Sequence, residues 1–222
     1  MTPSRFVALV KGLHPLPDVF NPWRDHDTEN DTGLEAPAIR ASNLERYLDM
    51  RQGKARFIFV GEAPGFRGAK FSGIAMTSER ILLNKQSAVP ADAVFFGDKI
   101  RTSNPRLFEN GSIEPTASIT WALLLSLGLK PDEFLFWNAF FAHPHLPGCP
   151  LTNRAPRPPE LKAAAAALPA MLTMFPSAQV VAVGRVAQRT LQGLGVAAPD
   201  VRHPAMGGAT KFRTQVQALL CP

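Results

Sequence analysis

Cysteine is almost missing from this chain: Cys149 and Cys221 are the only two among 222 residues. Two thiols cannot build a disulfide framework, nor the four-thiolate set that an iron–sulfur cluster needs. Long apolar runs are missing as well. None approaches the ~18 residues of a membrane span, and the opening MTPSRFVALVKGLHPLP is interrupted by Lys11 and Pro15, so it lacks a signal-peptide core. A cytosolic protein with reduced thiols is the expectation. There is no P-loop or dinucleotide fingerprint and no nucleophile elbow of the serine hydrolases. There is no repeat, and the one low-complexity tract is Ala163 to Ala167. Acidic residues are in deficit, 18 against 24 basic, for a net charge of +6 and a pI near 9.7. That balance is compatible with a polyanionic partner but points to one only weakly. What remains, 45% apolar and 19% charged residues, is the composition of a soluble globular protein, with one domain over 1–222 the default at this length.

The informative stretch is Arg56 to Phe71, RFIFVGEAPGFRGAKF. Phe57 to Val60 is a short unbroken apolar run, suited to a strand buried on both faces of a parallel sheet. It enters Gly61-Glu62-Ala63-Pro64-Gly65, which can neither continue the strand nor begin a helix at once. An acidic side chain and free backbone N–H groups are thereby held at the carboxyl end of a strand, where open α/β sheets bind ligands.

Further strands are expected at Phe134–Asn138, Gln179–Val183 and Asp200–Arg202, with a short one at Ala93–Phe96. Helices are expected at Phe6–Leu13, at Ala41–Arg51 with Ser42 as N-cap, and at Thr77–Lys85. Others are expected at Ala117–Leu127, stopped by Gly128, at Glu160–Phe175 with a kink at Pro169, and at 186–194 and 210–220. Strands separated by helices predict a three-layer α/β/α sandwich around a four-stranded parallel sheet. Residues 1–55 read as an N-terminal extension and 76–116 as an irregular insertion.

Parallel strands point their carboxyl ends the same way, so their loops must converge. Those loops carry Glu62 with Phe66 and Phe71, then Asn138, then His203. An amide that donates and accepts, a ring that stacks and an imidazole that steadies negative charge together make a pocket for a heterocycle. His143, His145 and Cys149 lie close together but form no regular four-ligand pattern, so no metal is expected.

The ordered set GEAPG at 61–65, an aromatic shortly after, strand-terminal Asn138, Asn153-Arg154-Ala155-Pro156, Val183-Gly184-Arg185-Val186-Ala187 and a late His203-Pro204 resembles the uracil-DNA glycosylase superfamily, and within it the GEAPG-type subfamily. The resemblance covers about 56–75 and 117–215. It implies excision of uracil from DNA by base flipping at the start of base excision repair, with no cofactor and with water as second substrate. Phe71 would stack on the flipped base, with Phe66 the alternative. Asn138 would read the uracil N3–H and O4, beside Gly61 and Ala63. His203 would steady the anionic base, and Glu62 is the nearest partner for the water. Pro204 to Gly208 would enter the minor groove with Met206 as wedge and with Gly207 and Gly208 N–H groups on phosphate. Arg67, Lys70, Arg154 and Lys211 would track the backbone of uracil-containing or abasic DNA, or equally be solvated charges. A monomer that releases free uracil and touches no membrane is implied.

The chain departs from that family in four places. Ala63 stands where the best-known subfamily has a water-positioning Asp. Ala205 stands where a phosphate-binding hydroxyl is usual, and Gly65 where a bulky Tyr excludes thymine. The four cluster cysteines of the GEAPG type are missing. Three other readings stay open: a protein that binds uracil or abasic DNA and turns over poorly, a glycosylase of the same fold acting on another deaminated or bulky base, and a different α/β enzyme that binds small nucleobases or nucleotides.

Overall fold

The computed structural model describes residues 1–14 and 16–220; Pro15, Cys221 and Pro222 lie outside the described residues. In chain order the elements are α1 (Pro3–Gly12), β1 (Val19–Phe20), α2 (Ala36–Asp49), β2 (Phe57–Gly61), α3 (Ala69–Ser72), α4 (Glu79–Leu82), α5 (Pro115–Ser126) and β3 (Phe134–Asn138). There follow β4 (His143–Pro144), α6 (Pro158–Ala163), α7 (Ala167–Met174), β5 (Gln179–Val183), α8 (Arg185–Gly193), β6 (Asp200–Val201) and α9 (Ala209–Leu220). Among the described residues no helix is long and apolar enough to cross a membrane.

Four strands form an all-parallel sheet in the order β3-β2-β5-β6. Every residue of β2 and β3 is buried, as their unbroken apolar runs require. Both faces are covered. On one, Trp121 of α5 lies edge-on to Phe134 and Phe136 at 5.1 and 5.5 Å, and Phe136 continues to Phe59 at 6.0 Å. On the other, Trp137 meets Phe6 of α1 edge-on at 5.0 Å and stacks on Trp23 at 5.7 Å. The result is the expected α/β/α sandwich around a four-stranded parallel sheet. The chain leaves β2 toward β3 on one side and returns to β5 on the other, so the sheet switches direction between β2 and β5, where a crevice opens at the carboxyl ends.

Residues 1–55 belong to the same core. Trp23, Leu44, Tyr47 and Leu48 are each at most 1% exposed. At roughly 1.5–3 kcal/mol per buried side chain, these four alone are comparable with the whole net stability of a domain, about 5–15 kcal/mol. The segment α2 to Arg51 also caps the outer side of β3. Phe136 N–H donates to Tyr47 Oη at 2.8 Å, and Arg51 Nε donates to the Phe134 carbonyl at 2.8 Å. Arg51 is fully buried, which pulls its pKa down. It is held by further carbonyls of Tyr47, Ala93, Val94 and Pro131, and by the Tyr47 ring at 3.7 Å.

The segment 76–116 is organised around a buried carboxylate. Glu79 accepts from the N–H groups of Thr102 (2.7 Å), Ser103 (3.0 Å) and Ser112 (3.3 Å) and from the Ser103 hydroxyl.

Several expected boundaries move. Helix α2 begins at Ala36, with proline in its first turn, so Ser42 is interior to the helix and not its cap. The expected strand at Ala93–Phe96 is an irregular, bent segment. The expected kinked helix 160–175 is two helices, α6 and α7. The break falls at Ala164–Ala166, because Pro169 sits in the first turn of α7 where its missing N–H costs nothing. An unexpected antiparallel pair, β1 with β4, joins Phe20 to His143.

Candidate active site

A cleft of about 1060 Å³ opens at the carboxyl ends of β2, β5 and β6 and at the start of α5. It is lined by residues 62–65, Glu114 and Thr116, residues 153–155, the start of α8, and the 200–206 segment with Lys211 and Gln215 of α9.

The loop after β2 is held from several sides. Gly61 pairs in register with Asn138, and the ladder runs on as Ala139 and Phe140 N–H donate to the Gly61 and Glu62 carbonyls at 2.8 and 2.9 Å. A Cβ at Gly61 would lie 2.8 Å from Asn138 Oδ1 and 3.3 Å from Met76 Sδ, so only glycine lets the amide come this close. Asn138 is 4% exposed, and its side chain makes no hydrogen bond to any other described residue. Farther along, Phe66 N–H donates to Asn153 Oδ1 at 3.0 Å. The Pro64 carbonyl lies 2.9 Å from His143 Nδ1, while His143 Nε2 faces the Pro150 carbonyl at 3.1 Å. Burial pushes the His143 pKa down to about 4. Glu62 lines the cleft, half-buried, without a hydrogen-bond partner among the described residues. Desolvation raises its pKa.

On the facing side, β6 delivers His203. Its Nδ1 accepts the Ala205 N–H at 3.2 Å. Burial, and then the charge of Arg202, lower its pKa. Nδ1 being the acceptor, the ring proton of the neutral imidazole sits on Nε2, which is left free to donate. The loop that follows is tight: Gly208 N–H returns to the Ala205 carbonyl at 3.0 Å, and a Cβ at Gly208 would lie 2.0 Å from the His203 carbonyl oxygen. Met206 sits at its tip with φ 53° and 93% exposed, followed by exposed Gly207; Pro204 is buried.

The expected site residues separate into three groups. Glu62, Ala63, His203, Met206 and Lys211 line the cleft, and Gly61 and Asn138 stand together one step behind it. Phe66 is half-buried beside the cleft loop with the Arg67 guanidinium 5.3 Å over its ring; Arg67 is exposed. Three expectations need correction. Phe71 is fully buried in α3, edge-on to Phe108 at 5.7 Å and beneath the Lys70 ammonium, so it offers no open face to a base in this conformation. Lys70 is no surface cation: it is fully buried, paired with Asp27 at 2.7 Å and set 4.5 Å over the Phe20 ring. Arg154 has all five N–H groups committed, to Glu160 twice and to the carbonyls of His145, Ala155 and Asp18, leaving none for phosphate.

Sequence reasoning overlooked Glu114, Arg185 and Arg202. Arg185 and Arg202 are exposed at the cleft and make no ion pair among the described residues. Glu114 is the residue just before α5, and Glu-Pro at a helix start was a readable signal. Among the described residues no group of three His, Cys, Asp or Glu side chains is placed to hold a metal ion.

Solved structures of similar fold include wild-type SMUG2 from Pedobacter heparinus, with a TM-score of 0.57, covering 99% of this chain and 98% of that one. Sequence identity is 13%, so the likeness is one of fold. No curated protein sequence matches the chain. The family model for the uracil DNA glycosylase superfamily matches residues 49–220, which takes in the 76–116 segment as well as the strands and loops of the cleft. The chain belongs to the uracil DNA glycosylase superfamily.

Proposed function

We propose that this chain is a monofunctional glycosylase that hydrolyses the N-glycosidic bond of uracil in DNA and so opens base excision repair. One observation carries the reading. Asn138, an almost fully buried amide without a protein partner, stands at the strand ends beside Gly61. Buried polar groups are rarely left unpaired, and an amide can pair with the imide edge of uracil, accepting from N3–H and donating to O4. Cytosine, with no N3 proton and a donor at N4, mismatches that edge.

His203 supplies the complementary half. Its free Nε2–H donates to uracil O2, where charge grows as the bond to the sugar breaks, and a preorganised donor acts there without reorganisation. The target nucleotide must be flipped to reach the cleft, at a cost of a few kcal/mol that a mispair or single strand reduces. Exposed Met206, at the tip of its turn, suits a wedge between bases, and Arg185, Arg202 and Lys211 around the cleft suit phosphates. The protein acts as a monomer on uracil-containing DNA, holds abasic DNA as product and releases free uracil.

A wider base range is favoured by a second observation. A Cβ at Gly65 would lie 3.1 Å from Glu114 Oε1, so the position that could exclude a 5-methyl group carries no side chain. Both readings are tested by incubating the protein with oligonucleotides carrying uracil, hypoxanthine, xanthine or thymine, followed by alkaline cleavage at abasic sites. Uracil excision is expected. Binding to uracil-containing DNA without cleavage of any of the four would leave a damage-binding protein instead.

A further inference from the structure

The best-known relatives hold the attacking water with an aspartate where this chain has Ala63, and of the three carboxyl groups lining the cleft, Glu62 and Glu114 stand by the 61–68 loop that carries Ala63. Glu62 lines the cleft half-buried. Glu114 is placed differently. It precedes the rigid Pro115 at the start of α5, and its carboxyl group is seated inside the arc from Gly65 to Gly68. A Cβ at Gly68 would lie 2.3 Å from Glu114 Oε2, and one at Gly65 3.1 Å from Oε1, so the carboxyl group occupies the space these two glycines leave. Oε2 is enclosed with no hydrogen-bond partner, yet the residue as a whole lines the cleft. It does not cap its helix. A structural carboxylate in such a place would be expected to have donors, as Glu79 has four and Glu160 has Arg154. An unpartnered enclosed carboxyl group calls for another account.

Resting on the glycosylase reading above, we propose that Glu114 is the catalytic base that takes the proton of the attacking water. The water oxygen forms its bond to C1′ as the C1′–N1 bond breaks. The bonding pair leaves on the base, which His203 and Asn138 hold as an anion, and the water proton passes to the Glu114 carboxylate and from there to solvent. The anionic base is protonated after release. No oxidant, metal or further reactant enters the balance.

Desolvation raises Glu114 to about 7, where a carboxylate is a much better proton acceptor than at its ordinary 4.5. The other acidic groups of the cleft are Glu62 and Asp200, and its bases are His203, Arg185, Arg202 and Lys211; Arg154 is spent on Glu160. None makes a hydrogen bond to Glu114 among the described residues, so its titration is governed by enclosure.

The test is single-turnover excision of uracil from a duplex oligonucleotide by the full chain and by Glu114→Gln, Glu114→Asp and Glu62→Gln, from pH 5 to 9, beside affinity for abasic DNA. The natural chain is expected to gain rate tenfold per pH unit and level off near 7. Glu114→Gln should lose 10²-fold or more at pH 8 and lose that acidic limb. Its abasic-DNA affinity should stay within about threefold, and Glu114→Asp should recover part of the rate with the limb restored. A Glu114→Gln rate near that of the natural chain overturns the proposal, as does retention of the limb, or equal loss of rate and affinity. A larger loss in Glu62→Gln, together with loss of the limb there, moves the role to Glu62. If the natural chain excises no base at all, the glycosylase reading itself falls, and with it this one.

Discussion

The backbone N–H of Ala205 donates to Nδ1 of His203 across 3.2 Å, and this one bond decides which ring nitrogen faces the cleft with a proton. Burial, and then Arg202, lower the pKa of the ring and so favour its neutral form, in which His203 offers a hydrogen bond without a fixed charge in the ground state. A donor of that kind is worth most when charge has developed on its acceptor.

His203→Ala should therefore lower single-turnover excision by roughly 10²-fold or more. Affinity for uracil-containing or abasic DNA, and its salt dependence, should change far less, because the proposed phosphate contacts are made by other residues. Equal loss of rate and binding, measured on the same oligonucleotide, would show the imidazole to be part of the DNA grip.

Asn138→Asp replaces the unpartnered amide by a group that can accept at cytosine N4. Uracil excision should fall by on the order of 10²-fold, with relative preference moving toward cytosine. Side-by-side kinetics on U- and C-containing strands decide it. Unchanged uracil kinetics would remove Asn138 from the pocket.

Gly208→Ala puts a methyl group 2.0 Å from the His203 carbonyl oxygen, nearer than any real contact. The 203–208 turn must open, and the Ala205 bond that sets the imidazole opens with it. We expect excision to fall at least tenfold while the melting temperature drops by only a few degrees, since the turn lies outside the core. An active, fully stable variant would show that the turn has slack.

Two groups give the fold opposite responses to pH. Glu114 binds its proton more tightly folded, at about 7, than at its ordinary 4.5, so stability falls as pH rises between those values. His143 is protonated folded only near 4 but unfolded at 6.5, so stability falls as pH drops through that window. A gap of about 2.5 pH units corresponds to about 3 kcal/mol. Glu114→Gln should thus be more stable than the natural chain at pH 8, by up to about 3 kcal/mol, and no more stable at pH 4.5. Urea midpoints at the two pH values measure it; an equal difference at both would mean that the Glu114 carboxyl group is not enclosed.

The sheet was legible because β2, β3 and β5 are unbroken apolar runs, and a two-face-buried strand has little freedom to read otherwise. His203 and Glu62 were legible because strand-end loops of a parallel sheet must converge. The direction in which a side chain points was not. Phe71 and Lys70 follow the GEAPG loop like any aromatic and any surface cation, and only Phe108 and Asp27, far away in sequence, draw them inward. Arg154 looks free until Glu160 closes on it across one loop. Residues 1–55 read as an appendage because their ties to β3 span more than eighty positions and leave no local pattern.

Those ties also settle where the sheet ends. β3 is an outer strand made of Phe, Leu, Phe, Trp and Asn, and such a strand with free N–H and carbonyl groups is a template for another chain. Tyr47 and Arg51 occupy those groups, so the sheet stops growing at four strands. A fragment that began at residue 49, where the family match begins, would keep Arg51 but lose Tyr47 and most of α2. Its Phe136 N–H would be left bare along an apolar edge. A segment that lies mostly outside the family match is thus what closes the outer edge of this sheet.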